Sequence, residues 1–168
     1  MTFEYVEGAS EIFSDVKTYK PNSFFDYRGE MWTFWEKSMD TPQEKISKFS
    51  RSRRNVLRGL HGDNVTTKHI TCLVGECYLV VVDNRPDSKT YREWDSFIIN
   101  DKNHLSVLIP PGYLNGHLVL SDEALFHYTQ SYPKDYVDWE DQKSAKWNDE
   151  LLNIDWPIKN PILNWRDK

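Results

Sequence analysis

At 168 residues the chain has the length of one domain with a substantial core. Its 39% hydrophobic and 28% charged fractions are those of an ordinary soluble protein, and the net charge of −5 argues against nucleic acid as a partner. No apolar run approaches the roughly 18 residues of a membrane span, and Met1–Tyr5 lacks the basic and apolar regions of a secretory signal, so a cytoplasmic protein without membrane contact is expected.

Taken in order, residues 1–55 form an N-terminal section of mixed character. Ser23–Glu30 reads as a strand end and turn, and Met31–Trp35, rich in β-forming residues, as a strand. Asp40–Ile46 reads as a loop or one helical turn. Lys48, Arg51, Arg53 and Arg54 form a basic cluster, which suits either a solvated loop or contact with phosphate. Val56–His61 then combines an apolar strand start with Arg58, Gly59 and His61. Strict alternation puts Arg58 and Leu60 on one side and His61 on the other, unless Gly59 bends the chain.

From 56 to 131 strand follows strand: Lys68–Leu73, Glu76–Asp83, Tyr91–Ile99, Leu105–Ile109, His117–Leu120 and Ala124–Ser131. Turns are expected at Arg85–Ser88, Pro110–Gly112 and Ser121–Glu123. Cys72 and Cys77 flank a turn at Val74–Glu76, which places them opposite each other on a hairpin; in a cytosolic chain both should be reduced core thiols. Short strands at this spacing, with no long amphipathic helix between them, indicate an all-β sandwich or barrel in a single domain over 1–168. Residues 132–168 turn polar and Trp-rich, with a short helix expected within Asp135–Lys146 and a long one excluded by Pro157 and Pro161.

A barrel interior holding His61, Lys68, Asp83, Asn115 and Tyr128 would carry chemistry. A His and a Tyr on opposite walls make a base and an acid addressing the two faces of one carbon, as inversion beside a carbonyl requires. An ammonium from Lys68 would stabilise the enolate oxygen. A carboxylate fixes the tautomer of the neutral His, and Asp167 and Asp83 are both candidates for it.

Val56–His61, Lys68, Val82–Arg85, Ile109–Tyr113, Leu118–Ala124, Tyr128 and Ile154–Pro157 resemble, as an ordered set, the motifs of the dTDP-4-dehydrorhamnose 3,5-epimerase family from about Asp26 to the C-terminus. The resemblance implies a double-stranded β-helix, or cupin jelly roll, and a homodimer with exchanged N-terminal strands. It implies no metal or organic cofactor, and nucleotide-diphosphate 4-keto-6-deoxy sugars as substrates. By it His61 matches the catalytic base, Tyr128 the opposing acid, Lys68 the residue near the enolate, and Asp167 the carboxylate of the His–Asp dyad. Arg58 matches a diphosphate contact and Arg28 a residue that reaches the partner subunit's site; from the barrel-interior reading, Asn115 and Asp83 are expected as further substrate contacts.

The departures are specific. Leu114-Asn115-Gly116-His117 stands where the family reads Ala-His-Gly, so an amide that can donate but cannot carry a proton replaces an imidazole. Gly62 and Asp63 replace an aromatic and Gln, and Thr33, with Glu36 nearby, stands in place of an acidic residue after the Arg-Gly motif. The Asn-Gly-His variant is similar to the branch acting on GDP-linked 4-keto-heptoses, which sets GDP beside dTDP as the nucleotide. A metal-dependent cupin is not expected: the chain has no His-x-His pair, and Asn115 occupies the last ligand position. A 3,4-ketoisomerase and a non-catalytic sugar-nucleotide-binding cupin are the competing readings.

Overall fold

A computed structural model describes residues 5–168. Its strands are β1 (Tyr5–Ala9), β2 (Lys17–Pro21), β3 (Phe24–Asp26), β4 (Gly29–Met31), β5 (Ile46–Arg53), β6 (Leu57–Gly62), β7 (Thr67–Val74), β8 (Glu76–Asp83), β9 (Trp94–Asn100), β10 (Ser106–Ile109), β11 (Tyr113–Val119), β12 (Glu123–Ser131) and β13 (Lys143–Ser144). One 3-10 turn follows at Trp165–Asp167. Two antiparallel sheets, in the orders β1-β2-β10-β7-β12-β5 and β13-β6-β11-β8-β9, face each other, and β3 and β4 form a separate hairpin. This is the expected jelly roll. No helix among the described residues is long and apolar enough to cross a membrane.

The core lies between the sheets. Ile70, Cys72, Val107 and Phe126 of one sheet pack on Cys77, Leu79, Val81 and Val119 of the other. Strand β8 coincides with its expected bounds because both of its faces are buried. Cys77, Leu79 and Val81 enter the core, while Val80 and Val82 join Leu57, Leu60, Leu114 and Leu118 under Leu152 and Trp156 of the C-terminal segment. A strand covered on both sides reads as a continuous apolar run.

Elsewhere the structure corrects the expectation. The strand over Met31–Trp35 ends at Met31, because Trp32 stacks on His104 (centroids 3.8 Å apart) and Phe34 on His69 (4.3 Å), which lays the segment over the outside of the larger sheet. Cys72 and Cys77 are free and 3.9 Å apart at sulfur, but they face each other between sheets rather than within a hairpin. Gly75, at φ 77°, turns the chain from one sheet to the other. Among the described residues no helix forms over Asp135–Lys146. The chain makes a turn closed by Asp141 N–H donating to Asp138 O, then pairs Lys143 and Ser144 with Gly62 and His61 as β13. The free edge of β6 outcompetes a short isolated helix, which is marginal by itself.

Candidate active site

One end of the barrel interior is a cavity of about 480 Å³. In β7 and β12 simple alternation points Lys68 and Ile70, and Phe126, Tyr128 and Gln130, into it. In β6 alternation is broken. The β6–β11 register shifts between Asn115 and His117, and Gly59 sits at φ 123°, where a Cβ would run into the backbone of Gly116. Arg58 and His61 therefore both line the cavity, while Leu60 joins the outer cluster.

His61 Nε2 lies 2.7 Å from Asp167 Oδ1, and its Nδ1 lies 3.1 Å from Ser144 Oγ. The 3-10 turn delivers Asp167 to β6, and the turn is capped by Asn164 Oδ1 accepting from Arg166 N–H. Although second from the end of the sequence, Asp167 is buried. Burial works against its charge, but the contact with His61 and the Gly59 N–H hold its carboxyl below the usual range. The carboxylate at Nε2 keeps the ring proton there and leaves the lone pair on Nδ1, which accepts from Ser144 Oγ and must give up that bond to take another proton.

Lys68 Nζ donates to Asn115 Oδ1 at 2.7 Å and to His61 O at 3.3 Å. Burial brings its pKa down to about 8, with Asp63 pulling the other way. Tyr128 is opposite Ile70 on one side and Lys48 on the other. Burial raises its phenol pKa, and the nearby Lys48 and Arg58 offset this only in part, so the group is an acid that keeps its proton. Lys48 Nζ donates to Tyr136 Oη at 2.6 Å. Arg58 leaves its guanidinium exposed, with Nε donating to Ser52 Oγ at 3.1 Å.

The structure thus brings His61, Tyr128, Lys68, Asp167, Arg58 and Asn115 to one cavity. Asp83 is not there, which corrects its assignment as a substrate contact and removes it as a partner for His61. It is fully buried at the end of β8, where it accepts from Arg85 Nε at 2.9 Å, Ser88 Oγ at 2.6 Å and Thr90 Oγ1 at 2.7 Å. Burial opposes its charge, yet these bonds hold its carboxyl far below the usual range. Arg28, at the tip of the β3–β4 hairpin, also lies outside the cavity, exposed and paired with Asp26.

Three cavity features escaped the sequence reading. Lys48 was visible only as part of a basic cluster, since β5 does not look like a strand. Its inward residues Lys48 and Ser50 are polar because they face the cavity. His117, read only as part of the Asn-Gly-His motif, lines the cavity beside Phe126, and Ser144 reaches His61 from β13 with no local signal. Among the described residues no group of three or more His, Cys, Asp or Glu side chains is placed to hold a metal ion.

The fold is that of a cupin-type protein, and its cavity gathers groups of the kinds that acid–base isomerases use. A family model described as dTDP-4-dehydrorhamnose 3,5-epimerase matches residues 11–168. The chain is 33% identical over 162 residues to the dTDP-4-dehydrorhamnose 3,5-epimerase of Shigella flexneri, covering 91% of this chain and 88% of that one. It is 36% identical over 161 residues to that of Escherichia coli K12, covering 89% and 84%. Among solved structures it is similar to dTDP-6-deoxy-D-glucose-3,5-epimerase from Legionella pneumophila Philadelphia 1 in complex with dTDP-4-keto-L-rhamnose, with a TM-score of 0.88, 29% identity, and coverage of 99% of this chain and 90% of that one. It is also similar to the Bacillus anthracis dTDP-4-dehydrorhamnose 3,5-epimerase with TDP and pyrophosphate bound, with a TM-score of 0.89, 28% identity, and coverage of 99% and 97%. The chain belongs to the dTDP-4-dehydrorhamnose 3,5-epimerase family and is an epimerase of the isomerase class.

Proposed function

We propose that the chain inverts C3, C5 or both in a nucleotide-diphosphate 4-keto-6-deoxy sugar, with His61 as base and Tyr128 as acid. The observation that carries the residue roles is a His61–Asp167 dyad sharing one cavity with Tyr128 and a buried lysine. The C–H beside the ketone gives its proton to His61, and its electron pair passes to the carbonyl oxygen as an enolate. The Lys68 ammonium stabilises that oxygen, a contribution of several kcal/mol in a dry site. Tyr128 then protonates the carbon from the opposite face. The imidazolium and phenolate left behind return to their starting states by proton exchange with solvent. Only protons move, so the reading calls for no cofactor.

Arg58 grips the diphosphate through its free guanidinium edge. The names of the relatives favour dTDP and a hexose over GDP and a heptose. A homodimer belongs to the same reading, with the N-terminal section exchanged and Arg28 reaching the partner's cavity. It is supported by the exposure of Phe25 (76%), Tyr27 (97%) and Met31 (54%) on the hairpin that carries Arg28, an apolar surface that a second copy would cover. The reading places the enzyme in the cytoplasm, in the biosynthesis of surface-polysaccharide sugars.

Incubation with dTDP- and GDP-linked 4-keto-6-deoxy sugars in heavy water tests the whole reading. Deuterium should enter C3, C5 or both with inversion, and the preferred nucleotide should react faster. A product with a displaced carbonyl would identify a ketoisomerase instead, and binding without deuterium uptake would identify a non-catalytic cupin.

A further inference from the structure

Strand β5 divides the basic cluster seen in the sequence. Arg51 and Arg53 are exposed, and Arg51 pairs with Glu123 at the surface, as Arg54 just beyond the strand pairs with Asp122. Lys48 points inward with Ser50 and lines the cavity. Its ammonium donates to Tyr136 Oη at 2.6 Å and stands 4.6 Å from the centre of that ring. The partner is a phenol rather than a carboxylate, so the bond fixes the ammonium without cancelling its charge. Burial works against that charge, but the Tyr136 hydroxyl, with the fields of Tyr128, Tyr136 and Asp138, holds the Lys48 pKa above the usual lysine value.

Strand register shows which group this cation accompanies. Lys48 is directly opposite Tyr128 in the β5–β12 pair, and both side chains line the cavity. Directly opposed residues on one face have Cβ atoms about 5 Å apart. Ser52, which takes Arg58 Nε, is opposite Ala124 instead. Four residues of strand, roughly 13 Å, separate Ser52 from Lys48. Lys48 is therefore level with the phenol and not with the anchor of Arg58. Burial pushes the Tyr128 pKa up, and of the charges that oppose this, Lys48 acts most, ahead of Arg58, while Tyr136 acts in the sense of burial.

Resting on the function proposed above, Tyr128 ends its step as an anion. Its O–H bond breaks, the enolate's electron pair forms the new C–H bond as the ketone is restored, and the O–H pair stays on the phenolate oxygen. An anion in a largely enclosed site is costly unless a cation stands near it. We infer that Lys48 is a positioning residue for this step: its ammonium, fixed by Tyr136 at the level of Tyr128, stabilises the phenolate and so makes Tyr128 a stronger acid toward the enolate carbon. Lys48 keeps its three protons throughout. The base side of the reaction, His61 with Asp167, does not depend on it.

The test is the fate of the enolate in heavy water, with whichever of the dTDP- and GDP-linked 4-keto-6-deoxy sugars reacts faster. NMR gives the ratio of labelled, uninverted sugar to epimer. That ratio is a competition within one enzyme–substrate complex, so neither affinity nor the fraction of folded protein moves it. Lys48→Met should raise it about three- to tenfold, as for an acid weakened by about one pKa unit, and Tyr128→Phe should raise it further. Lys48→Gln, equally uncharged, should match Lys48→Met, whereas Lys48→Arg should stay close to wild type. A wild-type ratio in Lys48→Met or Lys48→Gln, beside a raised one in Tyr128→Phe, would overturn the inference and leave the proposed function standing. Weakened binding of the nucleoside diphosphate in that variant would then mark Lys48 as a phosphate contact. A ratio raised as much in Lys48→Arg as in Lys48→Met would also overturn it, since charge would not be the cause. No deuterium uptake from either sugar by the wild-type protein, or wild-type inversion in Tyr128→Phe, would instead remove the proposed function or its acid, and the role of Lys48 with it.

Discussion

Lys68 Nζ stands 2.7 Å from Asn115 Oδ1, so the ammonium proposed to face the enolate is held by a neutral amide rather than by a carboxylate. An amide orients the ammonium without cancelling its charge, and burial leaves the pKa at about 8. The cation is thus present below pH 8 and lost as pH rises through it. Turnover should fall above about pH 8, while Tyr128, whose pKa is raised, keeps its proton. Lys68→Arg, charged to beyond pH 12, should lower turnover but move the alkaline limb of the kcat–pH profile upward by at least about one unit. A limb that stays in place in this variant would assign it to another group.

His61 and Tyr128 should be separable by isotope exchange. His61→Asn should remove both inversion and deuterium uptake, with turnover falling by about 10²–10⁴-fold. Tyr128→Phe should still form the enolate, and His61 should return a deuteron to the original face. Labelled, uninverted sugar should then accumulate, as read by NMR. Uptake persisting in His61→Asn, or wild-type epimerisation in Tyr128→Phe, would show that a different pair does the work.

Arg58→Ala should act on binding. Charge-assisted hydrogen bonds contribute roughly 1.5–3 kcal/mol each, so KM should rise by about 10–100-fold with kcat largely kept. Because Arg58 Nε is held by Ser52, Ser52→Ala should weaken binding in the same direction but less. Steady-state kinetics on both variants checks the pair, and a loss confined to kcat would contradict the role.

Asp83→Asn should act on stability. The carboxylate is fully buried and gathers Arg85, Ser88 and Thr90, although Arg85 keeps Asp15 as a second partner at 2.8 Å. A loss of about 2–4 kcal/mol in denaturant unfolding is expected, with KM unchanged. Because the folded-state pKa is lowered, this contribution is present above the ordinary carboxylate range and lost as pH falls through it toward the depressed value. A raised KM with intact stability would return Asp83 to the substrate site.

Much of this protein was legible in its sequence. Strand β8 lies where the apolar run Glu76–Asp83 places it, because a strand buried on both faces needs no partner to declare itself. Arg58, His61, Lys68 and Tyr128 were named from ordered motifs, and all four line the cavity. Strand β5 and the first half of β11 were missed for one reason. Around a polar cavity the inward residues Lys48, Ser50 and Asn115 are themselves polar, which erases the alternation by which a half-buried strand is read.

The sequence by itself determined the all-β class, the reduced cysteine pair and the residue types needed to move a proton, since alternation and short motifs are local properties. Tertiary structure alone decided which carboxylate serves His61. Asp83 is 22 residues away along the chain and spends its oxygens on Arg85, Ser88 and Thr90, while Asp167 arrives from 106 residues away on the closing 3-10 turn. It also decided that His117 shares a level with Arg58, since that depends on a register shift where Gly59 and Gly116 approach too closely for a side chain between them. Contacts of this kind follow from how two sheets close on one another, and no periodicity within a strand encodes them.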